Sequence, residues 1–382
     1  MRARFALALV SLVGLAPAPA PTFAGKTDGK LDIEWVDVEG GGATLIVTPA
    51  GESVLIDAGN PGPRDSGRII KAAKAHGLTQ IDHLIITHFH GDHFGGAAEV
   101  AAELPIVNLY DNGNGETRKQ EAGKAIEQYS ALKAGKRHTL KPGDEIPLLR
   151  VVANSTKKQP PLSLVCLGVN QQFIAPNAAG APVAPADNKN VAATGPYASG
   201  GPGGKQFTPN EHELAKNPVR RTEDKSDNAN SAVLLLRFGS FDFLDCGDLT
   251  WNVEEKLVAP INLVGEVDVY QVNHHGLDAS NNPLLIQSVA PTVAVFNNGH
   301  VKGCQPLAFL AVKNAPSVKA IYQVHKNLRK DVQNNTADDM IANHVATEKC
   351  EGHSVRLSVD AEGKAYVVSV PSMKHEKKFE SK

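Results

Sequence analysis

The stretch Thr87-His88-Phe89-His90-Gly91-Asp92-His93-Phe94-Gly95-Gly96 constrains this chain more than any other. It follows the apolar run Leu84-Ile85-Ile86, which reads as a buried strand. Side chains at i and i+2 of an extended segment share a face, so His88 and His90 can reach one metal ion from the same side. The chain then turns at Gly91 and enters a helix, where Asp92 and His93 are adjacent and can swing to a second ion nearby. Imidazole with carboxylate suits zinc, with iron or manganese as alternatives. Three histidines and an aspartate within six residues are hard to explain as packing; the bland alternative is a solvated polar loop.

Composition removes several classes. The chain has 382 residues, 42% hydrophobic and 21% charged, with 39 Lys+Arg against 41 Asp+Glu and a formal net charge of -2. These values exclude a disordered chain, a collagen-like fibre and a polytopic membrane protein. No basic excess advertises bulk nucleic-acid binding. Residues 1–24 read as a secretory signal peptide, with Arg2 and Arg4 before an apolar run over 5–16 and small-residue cleavage sites at Ala18-Pro19-Ala20 or Thr22-Phe23-Ala24. An uncleaved anchor or a buried first helix are the other readings. Signal removal leaves a net charge of about -4 and no membrane span, so the expectation is a periplasmic or extracellular protein. The four cysteines, Cys166, Cys246, Cys304 and Cys350, are too widely spaced for a disulfide framework or a zinc ribbon. Cys304 with Cys350 is one candidate bridge, and free buried thiols are the other reading.

A coarse pass predicts one long α/β domain over 25–372 with an inserted loop. Strands are expected at 31–38, 43–47, 53–56, 84–86, 106–110, 146–152 and 162–169, with helices at 64–76, 97–103 and 116–134. Residues 175–229, rich in Pro, Gly, Asn and Ala, read as a flexible surface insertion or a lid. A hairpin over 232–238 and 241–244 follows, then helices at 252–258, 283–288 and 306–313 alternating with strands at 267–272, 293–296 and 319–324. A last hairpin spans 355–359 and 365–370, and the charged tail 373–382 reads as frayed. Two β-rich halves with helices outside imply a sheet-on-sheet sandwich flanked by helices.

The motif His88-x-His90-x-Asp92-His93 resembles the signature of the metallo-β-lactamase superfamily. The resemblance extends over about 31–326 and is strongest to the hydrolase domain of ComEC competence proteins and to bacterial phosphorylcholine esterases. Leu55-Ile56-Asp57-Ala58-Gly59 looks like the family's strand-end aspartate motif. Asn230-Ser231-Ala232-Val233 and Cys246-Gly247-Asp248 look like its Asn-Ser strand and Gly-Asp turn, and Asn273-His274-His275-Gly276 like the His-His-Gly motif of the ComEC branch. Asn298-Gly299-His300 is a weaker match to a later histidine element. The resemblance implies an α/β fold, the αββα four-layer sandwich, with two divalent metal ions at the sheet edges.

It also implies roles. His88, His90, Asp92, His93, Asp248 and His274 would be metal ligands, with Asp248 bridging the two cations. His275 would contact substrate, the reverse assignment of His274 and His275 staying open. Asp92 or Asp248 would orient the attacking water or take its proton. Asp57 would accept an N–H from a ligating histidine, with a simple turn aspartate as the alternative. His300 is a candidate substrate contact, with an ordinary surface or packing histidine as the bland reading for it and for His325. Many superfamily members carry a further histidine before the bridging aspartate. Here only His138 and His212 intervene, in contexts that do not fit, so the first metal would rest on His88, His90, Asp248 and water. No Gly-x-Ser-x-Gly elbow and no phosphate loop occur. The implied activity is an exported, metal-dependent hydrolase of phosphodiester bonds in nucleic acid, nucleotide or a phosphorylated surface group. Hydrolysis of carboxylic esters, lactones or β-lactams, and a non-catalytic metal-binding scaffold, are the alternatives.

Overall fold

The structure, a computed structural model, describes residues 27–119, 123–149, 160–176, 220–331, 334–345 and 350–382. The chain begins with a meander, β1 (Leu31–Trp35), β2 (Thr44–Val47) and β3 (Ser53–Ile56). Helix α1 (Pro63–Ala75) leads to β4 (Ile81–Ile85), α2 (Gly91–Phe94), α3 (Ala97–Glu103), β5 (Ile106–Asp111), α4 (Ala125–Ala131) and β6 (Ala134–Thr139). The second half holds β7 (Leu162–Val169), β8 (Gln172–Phe173), β9 (Val233–Phe238), β10 (Phe241–Asp245), α5 (Trp251–Val258) and β11 (Val269–Gln271). It continues through α6 (Pro283–Val289), β12 (Val293–Phe296), α7 (Pro306–Lys313), β13 (Ala320–His325) and β14 (Ile341–Asn343). The last strands are β15 (Val355–Val359), β16 (Ala365–Val370) and β17 (His375–Glu380).

These strands form two sheets, ordered β17-β16-β15-β1-β2-β3-β4-β5-β6 and β14-β13-β12-β11-β10-β9-β7-β8. Period-two alternation explains how they stack. In β9 the Leu234, Leu236 and Phe238 side chains enter the cluster shared between the sheets, whereas Val233 and Leu235 join the cluster on the outer face with Val253 and Leu257 of α5 and Leu285 of α6. In the other sheet Ile46, Val54 and Ile56 face inward, while Leu45 and Leu55 pack outward with Ile69 and Ala73 of α1 and Val100 of α3. The result is a mixed α/β fold of two large sheets with helices on both outer faces, the αββα arrangement. The sheets are also pinned across the middle: the Trp35 indole N–H and the Thr44 hydroxyl both donate to Gln271 Oε1, at 2.8 and 2.6 Å.

Pairing is parallel from β3 through β6 and from β10 through β14. Loops leaving the carboxyl ends of these parallel strands therefore gather at one rim, the usual place for a site in such sheets. Asp57, His88, Asp248, His274, His275, His300 and Lys302 all follow such ends.

Several expectations are corrected. The long helix over 116–134 is not formed: its described part is the short α4, followed by the exposed edge strand β6. Gly123, with φ +64, interrupts the helical run, and Gly135, where a Cβ would lie 2.6 Å from Val107 O, lets β6 approach β5 closely. Residues 146–149 form no strand, and 150–152 lie outside the described residues. The tail is not frayed. β17 pairs antiparallel with β16 over six residues, and Phe379 stacks on Tyr366 at 5.3 Å. All four cysteines are free and buried, so Cys304 and Cys350 do not pair. Residues 1–24, expected to be a signal peptide, and residues 177–219 of the insertion lie outside the described residues. The insertion's last part is no surface loop, since Asp227–Asn230 is a buried 3-10 turn at the rim. Among the described residues no helix is long and apolar enough to cross a membrane.

Candidate metal centre

The histidine segment is built onto the end of β4. The Thr87 N–H and hydroxyl both donate to Asp57, at 2.8 Å each, and the Phe89 N–H donates to Asp227 Oδ2 at 2.8 Å. With Phe89 buried and its backbone anchored, the flanking rings of His88 and His90 lie edge to face at 4.8 Å. His90 precedes α2, and the one-turn helix presents Asp92 and His93. Gly95 permits it, because a Cβ there would sit 2.2 Å from Gly91 O.

From the opposite sheet, Asp248 follows β10 through Gly247, where a Cβ would meet Thr87 Oγ1 at 2.8 Å. The Asp248 N–H donates to Ser231 Oγ at 3.2 Å. His274 and His275 both adopt left-handed backbone, with φ of 55° and 54°. Such conformations are unusual for side chains with a Cβ and are held by their surroundings. The His274 N–H donates to Gly247 O at 3.0 Å, and His275 O accepts from the Cys304 N–H at 2.9 Å.

Two donor groups result. Asp92, His93, Asp248 and His275 each offer one atom to a single point, as do His88, His90 and Asp248. In the four-donor group the measured separations are nearly equal. His93 Nε2 lies 3.2 Å from Asp248 Oδ2, 3.4 Å from Asp92 Oδ2 and 3.2 Å from His275 Nε2. His275 Nε2 is 3.2 Å from Asp92 Oδ2 and 3.4 Å from Asp248 Oδ2. Two imidazole nitrogens and two carboxylate oxygens gathered this closely are a donor set that would suit one divalent ion such as zinc. Further, His88 Nε2 and Asp248 Oδ1 are buried polar atoms without a hydrogen-bond partner. Buried groups of this kind are rarely left unsatisfied, and a cation satisfies both. The residues therefore fit a pair of divalent ions sharing Asp248.

The electrostatics of Asp92, Asp248 and His88 agree with that reading. Burial favours neutral carboxyls, yet His93, His275 and Lys302 hold Asp92 well below its ordinary value, and His275, His93 and His274 do the same for Asp248. Burial and the His93 charge push His88 well below the usual histidine range, leaving it neutral and able to ligate. His93 is driven the other way: burial opposes, but Asp248, Asp57 and Asp92 raise it.

The other residues fall as follows. Asp57 Oδ2 lies 2.6 Å from His93 Nδ1. His274, the favoured ligand from the sequence, is outside both donor groups, and His275 stands inside the four-donor group, so the geometry favours the reverse assignment. His274 Nε2 remains 3.4 Å from Asp248 Oδ2 and meets Asn228 Nδ2 at 3.2 Å, while its Nδ1 meets Ser280 Oγ at 3.1 Å. His300 is at the rim, paired with Glu39 at 3.2 Å. His138 stacks on Tyr110, outside both groups, and His212 lies outside the described residues. His325 joins Asp37, Glu39 and Cys350 in a separate cluster, where Arg68 pairs with Asp37 at 2.9 Å and with Glu39 at 3.5 Å. Sequence reasoning missed Asn228, hidden in a polar stretch, and Lys302, whose ammonium pairs with Asp92 Oδ2. The proximity of Lys302 to His300 in sequence was the available signal.

Comparison with known proteins agrees with this geometry. Residues 37–158 match the family model of the metallo-β-lactamase superfamily. A UPF0173 metal-dependent hydrolase of Cupriavidus metallidurans is 36% identical over 95 residues, 24% of this chain and 30% of that protein. Another from Cupriavidus taiwanensis is 29% identical over 153 residues, 37% of this chain and 50% of that protein. The chain thus spans half or less of the length of these relatives. Among solved structures, a diphosphatase of the PhnP family aligns over 70% of this chain and 85% of its own, at 13% identity and a TM-score of 0.35. The segment over 37–158, which carries Asp57, His88, His90, Asp92 and His93, is thus similar to the metallo-β-lactamase superfamily.

Proposed function

We propose that the protein is a metal-dependent hydrolase that cleaves phosphodiester bonds with a water activated between two divalent ions, zinc by its donor set. The observation that carries the reading is the position of Asp248, the one residue common to both donor groups. Two cations held there would supply Lewis acidity and lower the pKa of a bound water. The chain's own residues do the rest. Asp57 fixes the orientation of His93, Asp248 holds the two groups together, and Asp92, 3.2 Å from His275, is the second carboxylate of the four-donor group. His274, tied to Asn228 and Ser280, borders the same carboxylate and is placed to touch substrate.

The phosphodiester preference draws on the resemblance of Asn273-His274-His275-Gly276 to the ComEC and phosphorylcholine esterase branch. Export to the periplasm or medium is proposed on the pattern of residues 1–24. The test is a substrate panel with zinc- and manganese-loaded protein: bis-p-nitrophenyl phosphate, p-nitrophenyl acetate and nitrocefin. Turnover of the phosphodiester, abolished in Asp248→Ala with the circular dichroism spectrum kept, is the expected result. Turnover confined to the acetate or nitrocefin would replace the reading with ester or lactam hydrolysis. No turnover of any of them by fully loaded protein would leave the scaffold.

A further inference from the structure

The Lys302 side chain is half-exposed at the mouth of the centre, with its ammonium on Asp92 Oδ2. This is no loosely attached surface lysine. Its carbonyl accepts the Gly299 N–H at 2.9 Å, closing a tight turn, and the next two residues lie against the His275 carbonyl. A Cβ on Gly303 would sit 2.1 Å from His275 O, and one on Gly40 would sit 2.7 Å from Gly299 N. The turn is thus clamped between the His275 segment and the loop over 37–42, whose Gly42 N–H donates to Asp92 O at 2.9 Å.

Asp92 Oδ2 is also the atom within 3.2–3.4 Å of His275 and His93 in the four-donor group. A divalent ion in that group and the Lys302 ammonium would therefore share one carboxylate oxygen. The single negative charge of Asp92 cannot balance both a divalent ion and the ammonium, so this side of the centre would keep an excess of positive charge that a further anion can take up. Because the ammonium reaches a ligand oxygen itself, that anion belongs at the reacting centre rather than on a remote part of the substrate. A phosphodiester carries its charge there, whereas a carboxylic ester or lactam is neutral at the carbon attacked.

We propose that Lys302 binds a non-bridging oxygen of the substrate's phosphoryl group and thereby selects esters that are anionic at the reacting centre. This rests on the hydrolytic reading of the site and deepens it. The test titrates inorganic phosphate, and acetate in parallel, into zinc-loaded protein by calorimetry, with zinc counted in every sample. Wild type, Lys302→Met and Lys302→Arg are compared. Phosphate should bind roughly tenfold or more weakly to Lys302→Met, and within about threefold of wild type to Lys302→Arg, with two zinc ions retained throughout. Equal phosphate binding by Lys302→Met overturns the inference. So does loss of zinc from that variant, which would make the lysine a partner of Asp92 alone, and so does a Lys302 dependence seen for acetate but not for phosphate. Failure of wild type to cleave bis-p-nitrophenyl phosphate would instead sink the phosphodiester reading, and the binding comparison would still be read on its own.

Discussion

Asp57 Oδ2 and His93 Nδ1 stand 2.6 Å apart in a pocket that no larger neighbour could share: a Cβ on Gly42 would lie 2.8 Å from both atoms. Asp57 reaches this position with φ +61°, and its two oxygens also accept the Thr87 N–H and hydroxyl. The carboxylate therefore determines which way the His93 ring faces and leaves Nε2 aimed at the donor group. Asp57→Asn should keep the fold and weaken metal affinity by about 10–100-fold, the usual effect of losing such a support. Competition with a chromophoric chelator measures it, and unchanged affinity would reduce Asp57 to a turn residue.

His275 and His274 should differ when metal is counted. His275→Ala removes one of four donors from a group with near-equal edges, and should bind one ion rather than two. His274→Ala leaves both groups complete, so it should keep two ions while losing turnover. Elemental analysis of the dialysed variants decides it, and a full complement in His275→Ala would reject the assignment.

A third prediction concerns the join between the sheets. Gln271→Leu strips the Trp35 indole N–H and the Thr44 hydroxyl of their shared acceptor in a buried setting. Leaving buried donors unmet should lower stability by about 2–4 kcal/mol. Urea unfolding at neutral pH provides the comparison, and an unchanged midpoint would mean that packing alone joins the sheets.

Asp245 supplies a pH dependence. Burial, with the nearby Asp57 and Asp248 charges, pushes its carboxyl up from 3.8 to about 7, and its Oδ2 has no hydrogen-bond partner. The folded state thus holds a proton that the unfolded chain releases near pH 4. Stability is complete below the unfolded value, falls as pH rises, and levels off above about 7, with a slope of up to about 1.4 kcal/mol per pH unit. In metal-free protein, Asp245→Asn should remove this component. The stability of the variant relative to wild type should therefore rise between pH 5 and pH 8 in urea titrations; a constant difference would show that Asp245 is already ionised.

What could be read from the sequence was what is local. His88, His90, Asp92 and His93 lie within six residues at the end of an apolar strand, so period and turn chemistry were enough to group them. The choice between His274 and His275 was not legible, because two successive left-handed residues override the alternation of an extended segment. Lys302 escaped notice because its contact with Asp92 spans 210 positions. β6, with the sequence Ala-Gly-Lys-Arg-His-Thr, lacks apolar alternation because it is an exposed edge. β17 carries a single buried apolar residue, Phe379, amid charge, and only its pairing with β16 makes it a strand.

The position of β1 between β2 and β15 has a consequence for biogenesis. One of the two hydrogen-bonding edges of residues 31–35 stays open until residues 355–359 have been made. Contacts so distant along the chain slow folding and expose a bare strand edge meanwhile. The first sheet, ordered around β1, therefore stays unfinished until both of its partner segments are available.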